Sequence, residues 1–523
     1  MPLTAGLGII EVELTSGPTA LDPYLEIDVT VEFRGPGDRV ITRPAFWDGG
    51  STWRVRFAPP APGEWRYIAT EAHSVEGLHA VTGTVTARGD VGDTLNQRQG
   101  FLEISSDGRH LCDSDGTPFF WLADTHWRFA WERWDEANKS GWSSQFRDTV
   151  DLRVRQGFTV YQSNLMSWDP PHPWTDGDYS SMAPEYFRDI IDPRMAYIAE
   201  SGLVNALGLA WHDAADTDSD GLVRLARYVV ARYGCHPIVW TLGGEVAGYE
   251  PDLRDHRIRV WREVALAIQA ADDYHHPITA HLTTERPLAS YYQDEDWLSF
   301  TLNQLGHGDL DMRAHHWADH LAAHPGRPMV EGEAFYEGLR SVEYTGRRVV
   351  TDVMVRQVAY RAIQSGCCGY SYGAQGCWNG AWDDAEAQMM WGELPWYEGV
   401  DLAGAGQLGY LRRLYESLNW WELRPAHDLL LPSSSINSTF FPPLVTADEE
   451  RRTILVYFAE AHRWGANAGT LRGLQSTAYR LEWFDPRTAG RSIVLDATPE
   501  ADGTLIIPGP PGGDDWILIA RAR

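Results

Sequence analysis

The sequence predicts an α/β fold, a (β/α)8 barrel flanked by an N-terminal and a C-terminal β-sandwich. Three observations predict it. Between about residues 100 and 425, eight short apolar runs alternate with longer stretches of helical character. The segments on either side instead alternate apolar and polar residues with period two between Gly/Pro turns. The chain has 523 residues, too many for one ordinary core. The boundaries read as 1–97, 98–427 and 428–523.

The N-terminal segment carries Leu25-Glu-Ile-Asp-Val-Thr-Val-Glu-Phe, an alternating run closed by the turn Gly35-Pro-Gly-Asp. Phe46-Trp-Asp-Gly-Gly-Ser-Thr-Trp-Arg-Val-Arg-Phe and Gly63-Glu-Trp-Arg-Tyr continue the pattern. The eight barrel strands are expected near Phe119–Ala123, Phe158–Gln162, Val204–Leu209, Ile238–Leu242, Ile278–Ala280, Leu298–Leu302, Pro328–Glu331 and Gly369–Tyr372. Helices are expected between them, for example Gly221–Tyr233 and His256–Ala271. A doubly wound sheet is the alternative, but no GxGxxG follows the first strand. After about residue 428 strands return, as in Thr453-Ile-Leu-Val-Tyr-Phe, Tyr479-Arg-Leu-Glu-Trp-Phe and Trp516-Ile-Leu-Ile-Ala.

Composition narrows the function. A formal net charge of −29 argues against nucleic acid and against an anionic membrane surface, both of which select Lys/Arg. No apolar run is long enough to cross a membrane. The N-terminus lacks a basic region followed by an apolar stretch, so the expected location is the cytoplasm. Lys139 is the sole lysine, which excludes most Schiff-base and P-loop chemistry. Cys112, Cys235, Cys367, Cys368 and Cys377 form no CxxC pair and read as buried free thiols. The 24 tryptophans and 22 tyrosines offer flat apolar faces of the kind that hold sugar rings.

In a barrel of this type the chemistry sits at the C-terminal ends of the strands. Strand four ends Trp240-Thr-Leu-Gly-Gly-Glu245, and strand seven ends Pro328-Met-Val-Glu-Gly-Glu333. Two carboxylates at one mouth, each preceded by a glycine that admits a ligand closely, are what glycoside hydrolysis needs. One acid protonates the leaving oxygen; the other attacks the anomeric carbon. Glu331 is a rival expected to turn away from Glu333, and Glu337 is expected to support the site from behind.

Four segments carry a resemblance: Trp121-Leu-Ala-Asp-Thr-His-Trp, Trp240-Thr-Leu-Gly-Gly-Glu, Glu331-Gly-Glu-Ala-Phe-Tyr-Glu and Gly369-Tyr-Ser-Tyr-Gly-Ala-Gln-Gly-Cys-Trp. Together they resemble the apiosidase-like glycoside hydrolases, within the clan of retaining barrel glycosidases. That resemblance implies Glu245 as general acid/base and Glu333 as nucleophile, with no cofactor and an oligosaccharide or glycoside as substrate. Phe46-Trp-Asp-Gly-Gly with Arg54-Val-Arg-Phe-Ala-Pro resembles the family's N-terminal sandwich. Trp483-Phe-Asp-Pro-Arg-Thr-Ala-Gly with Asp515-Trp-Ile-Leu resembles its C-terminal domain, which often carries a collagen-binding label. The chain departs from the family's frequent Asp at the strand-four position, and from the clan's usual Asn before it, where Gly244 stands.

Other strand ends supply candidate sugar contacts: Asp124 and His126, Asn164, Trp211 and His212, Gln304 and His307, and Trp378. The amides, acids and imidazoles suit paired hydrogen bonds to hydroxyls, and Trp211 or Trp378 suits a stacking floor. His316, His320 and His324 recur at helical spacing, but the HExxH arrangement is missing and no metal site is expected. No GxSxG elbow is present, so esterase chemistry has no footing. Two other readings share these residues: a transglycosidase with the same covalent intermediate, and a carbohydrate-binding protein with an inactive barrel. The flanking β-domains are candidates for subunit contacts in a homo-oligomer.

Overall fold

The computed structural model describes residues 8–88, 100–167, 172–174, 179–284, 291–307, 316–340, 349–389, 394–433 and 441–523. Its centre is a parallel barrel. Strands one to four are Trp121–His126, Val160–Asn164, Val204–Trp211 and Ile238–Gly244; strands six to eight are Thr301–Gln304, Met329–Glu333 and Gly369–Ala374. They pair in the order 4-3-2-1-8-7-6. The fifth position closes the ring through single bridges: Ile278 to Trp240 and to Leu298, and His281 to Leu302. All eight sequence runs therefore fall on barrel positions. The first is shifted, because Pro118–Phe119 belongs to a small antiparallel sheet with Leu102–Ile104 and Leu111–Asp113.

The barrel is filled rather than hollow. The Trp121 ring stands 5.7 Å from that of Phe300. Its indole N–H donates to Ser371 Oγ, which donates to Gln162 Oε1; Gln162 Nε2 donates to the Gly332 carbonyl. This chain of bonds fixes Trp121, Gln162 and Ser371 as inward-facing. The neighbours one residue along each strand consequently face the helices.

Helix starts follow local chemistry. Asp218 caps Ser219–Tyr233 by accepting from the Gly221 N–H, so the helix begins two residues before the expected Gly221. The next helix begins at Pro251, five residues before the expected His256, with Pro at a first-turn position where its missing N–H costs nothing.

The N-terminal sandwich packs a sheet of Ile10–Thr15, Thr52–Phe57 and Phe46–Trp47 on one of Arg39–Pro44, Val29–Gly35, Gly63–Glu71 and Val81–Ala87. Phe33 stacks on Phe57 at 4.2 Å in its core. The alternation beginning at Leu25 yields a strand only from Val29. Asp22 Oδ1 accepts from the N–H groups of Tyr24 and Leu25 and turns the chain there instead. The C-terminal sandwich has a sheet running from Arg424–Pro425 through Leu444–Ala447, Thr453–Phe458, Trp516–Ala522 and Tyr479–Phe484 to Arg491–Ala497. A second sheet joins Leu430–Pro432, Asn467–Leu471 and Leu505–Pro508.

Each sandwich sends an aspartate to a fully buried arginine on a barrel helix. Arg232 Nη1 lies 2.9 Å from Asp48, and its other nitrogens reach Asp192 at 2.7 and 2.8 Å. Arg56 of the sandwich also binds Asp192, at 2.6 Å. Arg356 binds Asp515 at 2.8 Å, both side chains 0% exposed. Tyr457 donates to the same carboxylate. All five cysteines are free and buried.

A third acid lies where the helix Pro251–Ala271 ends. Asp272 accepts from Trp240 Nε1 at 2.9 Å and pairs with His276 Nδ1 at 2.8 Å; Arg43 of the sandwich stands 3.8 Å away. Burial opposes its ionisation, but His276, Arg43 and Trp240 outweigh burial and hold the carboxyl down at about 2. A depressed folded-state value stabilises the fold above the unfolded carboxylate range and ceases to do so as pH falls through about 2. Asp272→Asn should therefore cost about 2 kcal/mol at pH 7 and roughly half of that near pH 3. Urea unfolding at the two pH values measures the difference.

Candidate active site

Glu245 and Glu333 meet at one imidazole. His281, on the fifth barrel segment, accepts the Glu245 backbone N–H at Nδ1 (3.2 Å), and its Nε2 lies 3.1 Å from Glu333 Oε2. Glu333 is buried and Glu245 half-buried. Gln304 pairs with Glu333 along the strands and donates its amide to Glu245 Oε1 at 2.9 Å. His307 Nε2 lies 3.4 Å from Glu333 Oε1. The Tyr249 hydroxyl donates to Glu245. Burial opposes the Glu333 charge, but contacts with His281 and His307 outweigh burial and hold its carboxyl well below the ordinary range.

The backbone at both carboxylates is irregular. Leu242 and Glu245 have φ of 61° and 51°, a left-handed conformation costing on the order of 1–3 kcal/mol each for residues other than glycine. The strand-three register shifts beside Leu242. On strand seven, Asn303 and Gln304 are adjacent, yet they face Glu331 and Glu333, so Gly332 is bulged out. A Cβ on Gly332 would fall 2.4 Å from Leu302 Cδ1. This bulge corrects the reasoning about Glu331. Residues two apart on a regular strand share a face; here the bulge separates them. Glu331 turns to the helix side, accepting from Asn303, Trp317 and the Leu305 N–H. Burial lifts its carboxyl to about 7.

Aromatic rings surround the pair. Tyr336 accepts from Trp127 Nε1 at 2.8 Å, and its ring lies 4.6 Å from His307 and 5.6 Å from Trp378. Trp127 in turn meets Trp211 edge-on at 5.7 Å and His281 at 5.1 Å. Trp378 donates to Gln375 at 3.0 Å. His212 is half-buried, 6.4 Å from the Tyr249 ring. Asn164 lies buried against Gly208 and Gly244. A Cβ on Gly244 would fall 2.6 Å from the Trp211 ring and 2.8 Å from Asn164 Nδ2, so the space a side chain would need is already filled. Gly244→Ala should displace Trp211 and lower kcat by about 10–10²-fold. Steady-state kinetics alongside tryptophan fluorescence would show both effects.

The structure thus gathers Glu245, Glu333, Gln304, His307, Trp211, His212, Asn164 and Trp378 at the mouth. It does not gather Asp124 and His126, and their expected role as sugar contacts is corrected here. Both share the parity of Leu122 and face the helices. Asp124 Oδ2 binds Arg153 of the helix Gln145–Gln156 at 2.5 Å; His126 joins Asp124 (3.0 Å) to Glu132 (2.7 Å). Burial disfavours charge on His126, but Glu132 and Asp124 outweigh it and lift the imidazole to about 9. This network ties strand one to its helix. Glu337 accepts from Tyr372 and the Gly404 N–H, anchoring the helix that follows strand eight. His320 contacts Thr301 at 3.5 Å, and the His316 side chain lies outside the described residues.

Sequence reading missed His281, Tyr336, Trp127 and Tyr249. His281 ends the fifth apolar run as Glu245 and Glu333 end theirs, so reading that strand end in the same way would have found it. Tyr249 follows Glu245 by four residues in a turn, with no sequence signal.

A parallel (β/α)8 barrel with two acids from strands four and seven beside one histidine is the architecture of a glycoside hydrolase. Residues 105–422 match the apiosidase-like catalytic domain, and residues 7–72 match a domain of unknown function, DUF5060. The chain belongs to the apiosidase-like family. No curated protein matches it. Among solved structures it is similar to a proposed glycoside hydrolase from Bacteroides vulgatus ATCC 8482, with 15% identity, a TM-score of 0.72 and 99% of each chain covered. It is also similar to a glycoside hydrolase family 5 protein of the same organism, with 19% identity, a TM-score of 0.66, and 81% and 93% of the chains covered. These likenesses show the fold. The matched families end at residue 422, so they carry no label for the C-terminal sandwich.

Proposed function

We propose that the protein is a retaining glycosidase that removes a terminal sugar by double displacement. One observation carries this reading: the two carboxyl-bearing strand ends flank a single buried histidine, and one of them, Glu333, is held ionised. In the first step a Glu333 oxygen bonds to the anomeric carbon as the glycosidic C–O bond breaks. Glu245 gives its proton to the departing oxygen. In the second, Glu245 takes a proton from water, the water oxygen bonds to the anomeric carbon, and Glu333 is released. The aromatic rings of Trp211 and Trp378 suit the sugar's apolar face, and Gln304, Asn164, His212 and His307 suit its hydroxyls.

The family description points to a furanoside or a branched pentose such as apiose. Glu245 reaches one methylene further than the aspartate frequent in the family, which favours a leaving group seated further from the sugar. A panel of aryl furanosides and pyranosides, with NMR of the first-formed anomer, tests the proposal. Net retention supports it; an inverted first product ends it.

A further inference from the structure

We infer that His281 is a positioning residue that couples the two acidic strand ends: protonated on Nε2, its ring presents that N–H to the Glu333 carboxylate, 3.1 Å away, while Nδ1 accepts the backbone N–H of Glu245. The argument begins with the amide. A peptide N–H is an obligatory donor, so the ring nitrogen facing it must accept. Nδ1 faces the Glu245 N–H at 3.2 Å. The ring proton is then on Nε2, the atom 3.1 Å from Glu333 Oε2. An imidazolium would set two N–H groups against each other at Nδ1.

The surroundings hold the ring in that role. His281 is 1% exposed, and the Trp127 ring packs 5.1 Å away. Its own N–H donates to the Thr241 carbonyl, and its carbonyl accepts from Val246. The histidine is thus bound on both sides of Glu245, whose left-handed backbone it braces. The titratable groups around the carboxylate it touches are His307, Tyr336 and Glu245. Burial opposes the Glu333 charge, and the contact with His281 is the largest that offsets it. One ring therefore sets the nucleophile's ionisation and the acid's placement together.

The role of the two acids comes from the proposed function; the tautomer does not, so the tests separate the two. In 15N-histidine-labelled full-length protein at pH 7, the signal lost in His281→Asn should show the Nε2–H tautomer. A proton on Nδ1, or double protonation, would overturn the inference whatever the enzyme's chemistry. Kinetics on the 4-nitrophenyl glycoside that wild type hydrolyses fastest give the second test. His281→Leu should lower kcat by about 10²-fold with KM nearly unchanged, and bring an acidic limb to higher pH as Glu333 loses its partner. His281→Asn, whose amide can accept and donate at once, should recover about 10-fold of that loss. Equal losses in the two folded variants, or an unmoved acidic limb, would defeat the coupling. Persistent turnover by Glu333→Ala would instead defeat the proposed function.

Discussion

Glu333→Gln should reduce kcat/KM on every glycoside by at least about 10⁴-fold, the scale seen when a nucleophile is removed from an intact site. The substitution keeps volume and burial, and glutamine's oxygen can still face His281 and His307, so folding should be preserved. What is lost is the anionic oxygen that bonds to the anomeric carbon. Glu245→Gln should behave differently. It removes a proton donor, so the loss should be about 10²–10⁴-fold on sugars with poor leaving groups and far smaller on dinitrophenyl glycosides, which depart without help. Turnover of a paired substrate series by the two variants measures this split. Uniform loss in Glu245→Gln across leaving groups would remove it from the acid role.

Arg232→Ala should destabilise the protein by about 3–5 kcal/mol, the cost of leaving buried acids without their cation. Arg232 is 0% exposed and serves Asp48, Asp192 and the Tyr228 hydroxyl at once. Its guanidinium also lies over Phe46 at 4.5 Å, so the substitution empties a packed space. Burial opposes the Asp192 charge, while Arg232 and Arg56 hold its carboxyl well below the ordinary range. Its contribution is present above the unfolded carboxylate range and fades as pH falls, so the Arg232→Ala deficit should shrink in acid. Urea unfolding of wild type and variant at pH 7 and at pH 2.5, well below the unfolded carboxylate range, gives both numbers. A deficit under about 1 kcal/mol at pH 7 would place the stabilisation elsewhere.

The fold was legible because apolar runs and turn residues report burial directly. All eight runs, from Phe119–Ala123 to Gly369–Tyr372, fall on barrel positions. Glu245 and Glu333 were legible for a related reason: in a barrel, a polar residue just past an apolar run sits at the open end. Which face a strand residue takes was not legible. Asp124 and His126 end strand one as convincingly as Gln304 ends strand six, yet they turn to the helices because Trp121 takes the inward parity. Sequence supplies the period but not the phase, which depends on what the other strands place across the barrel. Bulges at Leu242 and Gly332 reset the phase locally, and only the three-dimensional register shows them. His281 escaped because its chemistry arises from contact with strands four and seven rather than from any local motif.

The arginines that receive Asp48 and Asp515 set a limit on how the chain can be divided. A barrel excised from either sandwich would keep a guanidinium in an apolar setting with part of its anionic shell gone, and truncated forms should aggregate or fail to accumulate. The three parts should consequently melt in one cooperative transition, and any lineage that lost a sandwich would first have to replace Arg232 or Arg356.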